Sequence, residues 1–204
     1  SLWRWSVYER ERFWSAIMDF AGVLHTPGTA PVLQHRDRMP GAKWFEDTRL
    51  NFAENLLARD DDHVAIVFDN ERGQRRELSY REVRAEVNRV AAGLRDLGIG
   101  PGDRVAGFLP NLPESIVAML AATSLGAAWT SCSPDFGING VLDRFGQVAP
   151  RVLFTADGYF YNGKTLDSLA AVRGVLEQLP SVERVVVVPY VCGRPDLSGV
   201  PRAV

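Results

Sequence analysis

The residues most suggestive of chemistry form a continuous run from Gly158 to Thr165. Their letters match G-x-x-x-x-G-K-[ST], the pattern of a phosphate-binding loop, and the run lies between a predicted strand and a predicted helix. Backbone amides at a helix start favour anionic oxygens, and the ammonium group of Lys164 adds a positive charge. The run therefore predicts contact with a phosphate-bearing ligand; a nucleotide triphosphatase is one hypothesis and a plain turn is another.

Two features of the sequence argue against a nucleotide triphosphatase. Tyr159, Phe160 and Tyr161 fill the interior of the run with aromatic rings, whereas a loop that wraps closely around phosphate favours small side chains. The predicted strand over residues 185–188 is followed by Pro189 and not by the aspartate that would hold magnesium through water. A different phosphate-bearing ligand is therefore favoured, and the plain turn stays open.

A second candidate loop, Ser131 to Gly137, follows another predicted strand and contains Asp135. In an open parallel sheet, ligands bind beyond the carboxyl ends of the strands. We therefore expect this loop and the run 158–165 to lie at the same edge of the sheet. Cys132 is interpreted as a small buried side chain and not as a nucleophile, because no histidine lies near it in sequence.

The sequence contains few cysteines and histidines that could form disulfides or bind a metal. Cys132 and Cys192 make neither a disulfide framework nor a zinc-binding spacing, which predicts a reduced, cytoplasmic setting. The three histidines, His25, His35 and His63, all precede the predicted sheet and show no metal-binding spacing. The sequence therefore predicts no metal site.

Composition narrows the class of protein. The 204 residues are 46% hydrophobic and 24% charged, as expected of a globular protein that buries its own core. The formal net charge of −2 gives no reason to expect nucleic acid or an anionic membrane as a partner, and no apolar run approaches the roughly 20 residues of a membrane span. Neither a starting Met nor a signal-peptide-like run is present, and no element is predicted after residue 193, so we expect a piece of a longer protein.

Two compositional blocks position the candidate residues. Residues 1–60 hold four of the five tryptophans, show helical spacing over residues 9–20, and are interpreted as an N-terminal extension of helices and loops. Residues 61–204 alternate strands with helices, which predicts an α/β fold with a doubly wound, mainly parallel sheet and helices on both faces. Ser79 and Glu82 predict a capping box at the start of the first long helix. The predicted strands span residues 64–68, 104–109, 127–131, 151–155 and 184–188, and the later helices span 114–125, 140–148 and 166–179.

Several segments together resemble the acyl-CoA synthetases of the adenylate-forming superfamily. The segments that carry the general resemblance are Trp44-Phe45, Leu50 to Leu57, Gly102 to Val105 and Leu109 to Glu114. A narrower resemblance, to the acetoacetate-activating branch of that family, rests on residues 131–137, 141–147 and 157–164. The similarity extends over nearly the whole chain.

The resemblance implies a two-step reaction with ATP, Mg²⁺ and coenzyme A. Acetoacetate, or a similar short acyl acid, would be activated to an acyl-adenylate and then transferred to the thiol of coenzyme A. The family's Ser/Thr/Gly-rich ATP loop, aromatic-Thr-Glu motif, hinge and C-terminal catalytic lysine do not occur before Val204. The resemblance thus implies that residues 61–204 form an incomplete α/β subdomain, that the catalytic residues belong to the remainder of the same enzyme, and that this chain alone is inactive.

The resemblance also suggests a ligand for the apparent phosphate-binding run. An Arg-Ala-Gly-Arg stretch that contacts coenzyme A in related acetyl-CoA synthetases falls on Tyr161, Asn162, Gly163 and Lys164, counted from the loop that contains Asp135. The implied coenzyme A-binding residues are therefore Tyr161, Asn162, Gly163, Lys164 and Asp135, with Lys164 near the nucleotide phosphates. Without the resemblance, the residues themselves leave two alternatives to a coenzyme A ligase: a non-catalytic α/β binding module and a nucleotide triphosphatase.

Overall fold

The computed structural model describes all residues from Ser1 to Val204 and divides them into two compact units, Ser1–Ala58 and Arg59–Val204. The first unit contains α1 (Leu2–Tyr8), α2 (Arg10–Phe20), β1 (Leu33–Gln34), β2 (Lys43–Trp44) and α3 (Phe52–Leu56). The helix predicted over residues 9–20 is confirmed as α2, whereas α1 was not predicted. No helix of the structure is long and apolar enough to cross a membrane.

Aromatic packing and one asparagine organise the first unit. Trp5, Phe13, Trp14 and Trp44 form a chain of edge-to-face contacts with ring centroids 5.2, 5.3 and 6.3 Å apart. The Asn55 side chain on α3 accepts a hydrogen bond from the Leu24 N–H at 2.8 Å and donates one to its carbonyl at 2.9 Å. The tryptophan-rich composition of this unit therefore produces a local aromatic cluster.

The second unit contains one parallel sheet and two antiparallel hairpins. Its elements are β3 (Val64–Asp69), β4 (Arg75–Ser79), α4 (Tyr80–Asp96), β5 (Arg104–Phe108), α5 (Pro113–Ser124), β6 (Ala128–Cys132), α6 (Ile138–Val148), β7 (Val152–Ala156), β8 (Gly158–Tyr161), β9 (Lys164–Asp167), α7 (Leu169–Gln178) and β10 (Arg184–Val188). The sheet has the order β10-β7-β5-β6 with all pairs parallel, and β3-β4 and β8-β9 are the hairpins. Residues after 193 form no further helix or strand, although a single parallel bridge joins Ala203 to Val185.

Local sequence signals explain where α4 begins. The Glu82 N–H donates to the Ser79 hydroxyl, and the Glu82 carboxylate accepts from the Ser79 N–H at 2.7 Å. The predicted capping box is therefore confirmed. The helix then buries Val83, Val87 and Leu94, which share one face because they recur at helical spacing.

Both faces of the parallel sheet carry helices. On one face, Phe145 of α6 and Val172 of α7 are completely buried with Phe108, Leu153 and Val185 of the strands. Helices α4 and α5 contact each other, and α5 contacts β5 and β6, on the opposite face. The predicted doubly wound α/β fold is confirmed.

The strand order creates a switch point at the carboxyl edge of the sheet. From β5 the chain moves outward to β6, then returns past β5 to β7 and continues to β10. The connections that leave the neighbouring strands β5 and β7 therefore run to opposite faces. Such a point is where open α/β sheets place ligands.

Candidate functional site

The run Gly158–Thr165 is a β-hairpin and not a loop that leads into a helix. Its strands pair Tyr159 with Leu166 and Tyr161 with Lys164, and α7 begins only at Leu169. Asn162 and Gly163 form the two-residue turn with φ values of 50° and 73°. Asn-Gly is the preferred sequence for such a turn because both central residues adopt positive φ. The prediction that Lys164 lies directly before a helix is therefore wrong.

The two glycines of the motif have structural reasons that involve no phosphate. A Cβ on Gly158 would lie 2.4 Å from the carbonyl oxygen of Leu166, so the close approach of the two strands requires glycine there. At the tip, the Gly163 N–H donates to the Glu71 carboxylate at 3.0 Å. A carboxylate at that amide would repel an anion in the same place. The hypothesis of a phosphate-wrapping loop, and with it the nucleotide triphosphatase, is therefore wrong.

The hairpin presents two different faces, because side chains alternate along each strand. Phe160 packs edge-on against Tyr190, with ring centroids 5.2 Å apart, while the Arg72 guanidinium lies 5.0 Å from the Phe160 ring centroid. The other face carries Tyr159, Tyr161 and Lys164. Tyr161 is 61% exposed and Lys164 is exposed, so an aromatic ring and a positive charge are accessible together at the tip.

Asp135 is brought to the base of this hairpin from the loop between β6 and α6. Burial raises the pKa of Tyr159, and the nearby Asp135 carboxylate raises it further. The Ser133 hydroxyl donates to this carboxylate at 2.9 Å. The loop follows β6 and the hairpin follows β7, and these strands are parallel members of one sheet, so both lie at the same edge, as predicted. Tyr159 is a member of the site that sequence reasoning missed, because its partner lies on a different connection.

A second cation and a second aromatic ring stand on the α6 side of the same edge. The Arg144 guanidinium lies 4.2 Å from the centroid of the Phe136 ring and donates to the Gly140 carbonyl at 2.9 Å. Cys132, at the end of β6, is 5% exposed, and burial raises the pKa of its thiol. The interpretation of Cys132 as a buried apolar residue is confirmed, since a protonated thiol is a poor nucleophile.

Asp157 is a structural centre that the sequence did not reveal. This 7% exposed residue follows β7, and its carboxylate accepts hydrogen bonds from the N–H groups of Tyr190, Val191 and Cys192 at 2.8, 2.9 and 2.7 Å. It thereby ties the carboxyl end of β7 to the segment that follows β10. No local sequence pattern identifies amides that lie more than 30 residues away as the partners of an aspartate.

The site provides groups for binding and none of the usual sets for bond cleavage. The exposed groups at the tip are the ammonium of Lys164, the ring of Tyr161 and the polar turn residue Asn162. No group of three or more His, Cys, Asp and Glu side chains is placed to hold a metal ion. Positive charge beside an accessible aromatic ring suits a ligand with both phosphate groups and a planar base.

Comparison with known families defines the class of protein to which this fold and site belong. The family model of AMP-binding enzymes matches residues 52–198, and the model described as the acetyl-coenzyme A synthetase N-terminus matches residues 1–56. The first match covers well over half of the chain. The chain therefore belongs to the family of AMP-binding enzymes.

Individual relatives are more specific. The chain is 47% identical over 186 residues to an acetoacetyl-coenzyme A synthetase of Rhizobium meliloti (strain 1021), which covers 91% of the chain and 28% of the relative. It is 40% identical to a malonamoyl-CoA synthetase of Penicillium aethiopicum, over 99% of the chain and 29% of the relative. A solved acetoacetyl-CoA synthetase from Streptomyces lividans superposes with a TM-score of 0.89 at 43% identity, covering 96% of this chain and 30% of that one. The chain thus spans less than a third of the length of these relatives.

Proposed function

We propose that this chain is the N-terminal part of an ATP-dependent acetoacetate–CoA ligase. The observation that carries the proposal is the 43% identical structural match, which extends over 96% of the chain and includes both units. In the proposed reaction, the carboxylate of acetoacetate attacks the α-phosphorus of ATP, supplied with Mg²⁺, and pyrophosphate leaves. The thiol of coenzyme A then attacks the acyl carbon of the adenylate, loses its proton, and displaces AMP.

Within that reaction, we assign the hairpin β8–β9 to the binding of coenzyme A. Lys164 and Tyr161 are exposed side by side at the tip, and the loop with Asp135 meets the base of the same hairpin. The Gly163 amide already has a carboxylate partner, so the Lys164 ammonium and not the turn backbone would contact a phosphate. Asn162 and Gly163 shape the turn that carries this lysine outward.

The identity of the acyl group depends on more than this chain. A relative of nearly equal similarity is named for malonamoyl-CoA synthesis, so identity over these residues is compatible with different short acyl acids. We propose acetoacetate because most of the similar relatives carry that name, and the remainder of the same enzyme as the partner that supplies the catalytic residues. A reducing, cytoplasmic location is part of the proposal and is supported by the free thiols of Cys132 and Cys192.

Substitution of Lys164 tests the assignment of the hairpin to coenzyme A, and the one other lysine of the chain provides a control. In the enzyme that begins with this chain, Lys164→Ala should raise the KM for coenzyme A about fivefold, the loss expected for one exposed charge–phosphate contact. The adenylation half-reaction, followed as ATP–pyrophosphate exchange, should not change. Lys164→Arg should restore most of the coenzyme A affinity, since the positive charge is retained.

Lys43→Ala is the matched control, because Lys43 pairs with Glu46 in the first unit. It should leave both half-reactions unchanged. A loss of ATP–pyrophosphate exchange in Lys164→Ala with normal coenzyme A kinetics would assign the hairpin to the wrong substrate. An unchanged KM for coenzyme A in that variant would make Lys164 a solvated turn residue.

A further inference from the structure

The turn between β3 and β4 contacts the tip of the hairpin β8–β9, although 91 to 93 residues separate the contacting groups. We name Asn70, Glu71 and Arg72, which form this turn, the turn clasp. A two-stranded hairpin is marginally stable by itself and takes a fixed direction only when other elements hold it. The contacts of the turn clasp are therefore among those that can hold the exposed end of the hairpin in one direction.

The turn clasp occupies both backbone groups of Gly163. The Glu71 carboxylate accepts from the Gly163 N–H at 3.0 Å, and the Arg72 guanidinium donates to the Gly163 carbonyl at 3.2 Å. The same guanidinium nitrogen lies 3.4 Å from the Thr165 hydroxyl, and the guanidinium carbon lies 5.0 Å from the centroid of the Phe160 ring. One arginine thus engages the turn, β9 and β8 together.

Asn70 fixes the turn clasp from behind. Its side-chain oxygen accepts from the N–H groups of Arg72 and Gln74, both at 3.0 Å, which closes the turn. Its amide nitrogen donates to the Tyr190 hydroxyl at 2.9 Å. The Tyr190 ring in turn packs against Phe160, so the hairpin is held between the turn clasp and the segment after β10.

We propose that Glu71 and Arg72 are positioning residues that orient the hairpin tip so that Lys164 reaches the phosphates of coenzyme A. The proposal rests on the proposed function, because it takes the hairpin as the coenzyme A site. Gly163 lies directly between the other turn residue and Lys164, so fixing its N–H and carbonyl fixes the direction in which the lysine leaves the turn. Neither Glu71 nor Arg72 is required to touch the ligand.

The kinetic test replaces Arg72 in the enzyme that begins with this chain. Arg72→Ala should raise the KM for coenzyme A about two- to fivefold, because affinity falls with the fraction of molecules whose tip is correctly oriented and the loss cannot exceed that of removing the Lys164 contact itself. ATP–pyrophosphate exchange and kcat at saturating coenzyme A should be unchanged. Arg72→Lys keeps the charge without the planar fork and should lie between the wild type and Arg72→Ala.

Two controls separate orientation from general charge effects. Arg75 lies on the same β3–β4 hairpin, where it pairs with Asp69 and Glu77, each at 2.7 Å, so Arg75→Ala should not change the KM for coenzyme A. Glu71→Gln keeps an oxygen that accepts from the Gly163 N–H and should resemble the wild type, whereas Glu71→Ala should raise the KM. If Arg72→Ala does not yield folded enzyme, the two Glu71 variants carry the test.

Hydrogen exchange of the 204-residue chain tests the contact without any ligand. Amides of residues 158–167 should exchange faster in Arg72→Ala than in the wild type or Arg75→Ala. Unchanged exchange would overturn the proposal. Faster exchange with an unchanged KM, while Lys164→Ala does raise the KM, would overturn the positioning role and leave the proposed function standing. If Lys164→Ala also has no effect on coenzyme A, the proposed function fails, and the positioning role fails with it.

Discussion

Replacing Asp157 with alanine removes the acceptor for three consecutive backbone N–H groups. A single hydrogen bond to a charged group contributes about 1.5–3 kcal/mol to the free energy of unfolding, net of its exchange with water. Three such bonds do not add fully here, since Cys192 is exposed and Tyr190 and Val191 are only half-buried, so water can replace part of what is lost. We therefore expect Asp157→Ala to lower the free energy of unfolding by about 3 kcal/mol.

Asp157→Asn should have an intermediate effect for a geometric reason. One carboxylate oxygen accepts from Tyr190 and Val191, and the other accepts from Cys192. An asparagine keeps one oxygen acceptor, but its NH₂ group would face the third N–H as donor against donor. The expected loss is about half that of the alanine variant, roughly 1.5 kcal/mol.

Urea unfolding of the 204-residue chain, followed by far-ultraviolet circular dichroism, provides the measurement. Asp167 is the matched control, because its carboxylate accepts from a single backbone N–H, that of Leu169 at 2.8 Å. Asp167→Ala should therefore cost only about 1 kcal/mol. A loss below about 1 kcal/mol for Asp157→Ala, or equal losses for the two alanine variants, would refute the role assigned to the three amides.

Two further predictions concern acid stability and activity. Asp103 accepts from the Gly100 N–H and pairs with Arg151, which lowers its pKa below the ordinary 3.8, and Arg151 likewise lowers the pKa of Glu183 below 4.5. Because the pKa values of both carboxyls are lowered in the folded state, their stabilisation is complete above the ordinary values and is lost as the pH falls below them. The urea midpoint of the wild type should therefore drop between about pH 5 and about pH 3. In Arg151→Met the midpoint should drop by less over the same pH range. Under the proposed function, the purified 204-residue chain should release no pyrophosphate from ATP when acetoacetate is added, because the ATP loop and catalytic lysine of the family do not occur in it. Robust pyrophosphate release would contradict the assignment of catalysis to the remainder of the enzyme.

Local signals predicted most of the architecture. The strand Arg184–Val188 is predicted without error, and the capping box at Ser79 marks the start of α4, because both depend on neighbouring residues. The meeting of the Asp135 loop with the hairpin also followed from a general rule, since parallel strands end at the same edge. These predictions needed no knowledge of distant contacts.

The errors and omissions have two origins: a local turn signal that the motif interpretation ignored, and contacts between residues far apart in sequence. The run Gly158–Thr165 was interpreted by its letters, although Asn162-Gly163 between β-forming residues is itself a hairpin signal. The sequence does not identify Glu71 and Arg72 as partners of that hairpin, because no local feature of an exposed charged turn indicates a contact with residues about 90 positions away. The candidate coenzyme A residues themselves came from resemblance, and their role stays a prediction.

The long-range closure of the turn clasp has a consequence for the order of folding. Hairpins β3–β4 and β8–β9 pair residues that are close in sequence, so each can form within microseconds by itself. The hydrogen bond between Arg72 and Gly163 closes a loop of 91 residues, and the parallel sheet that brings the two hairpins together consists of non-local pairings, which form slowly. We therefore expect the tip that carries Lys164 to acquire its final direction only after the sheet is assembled, so that a refolding chain has a complete core before it has a complete ligand surface.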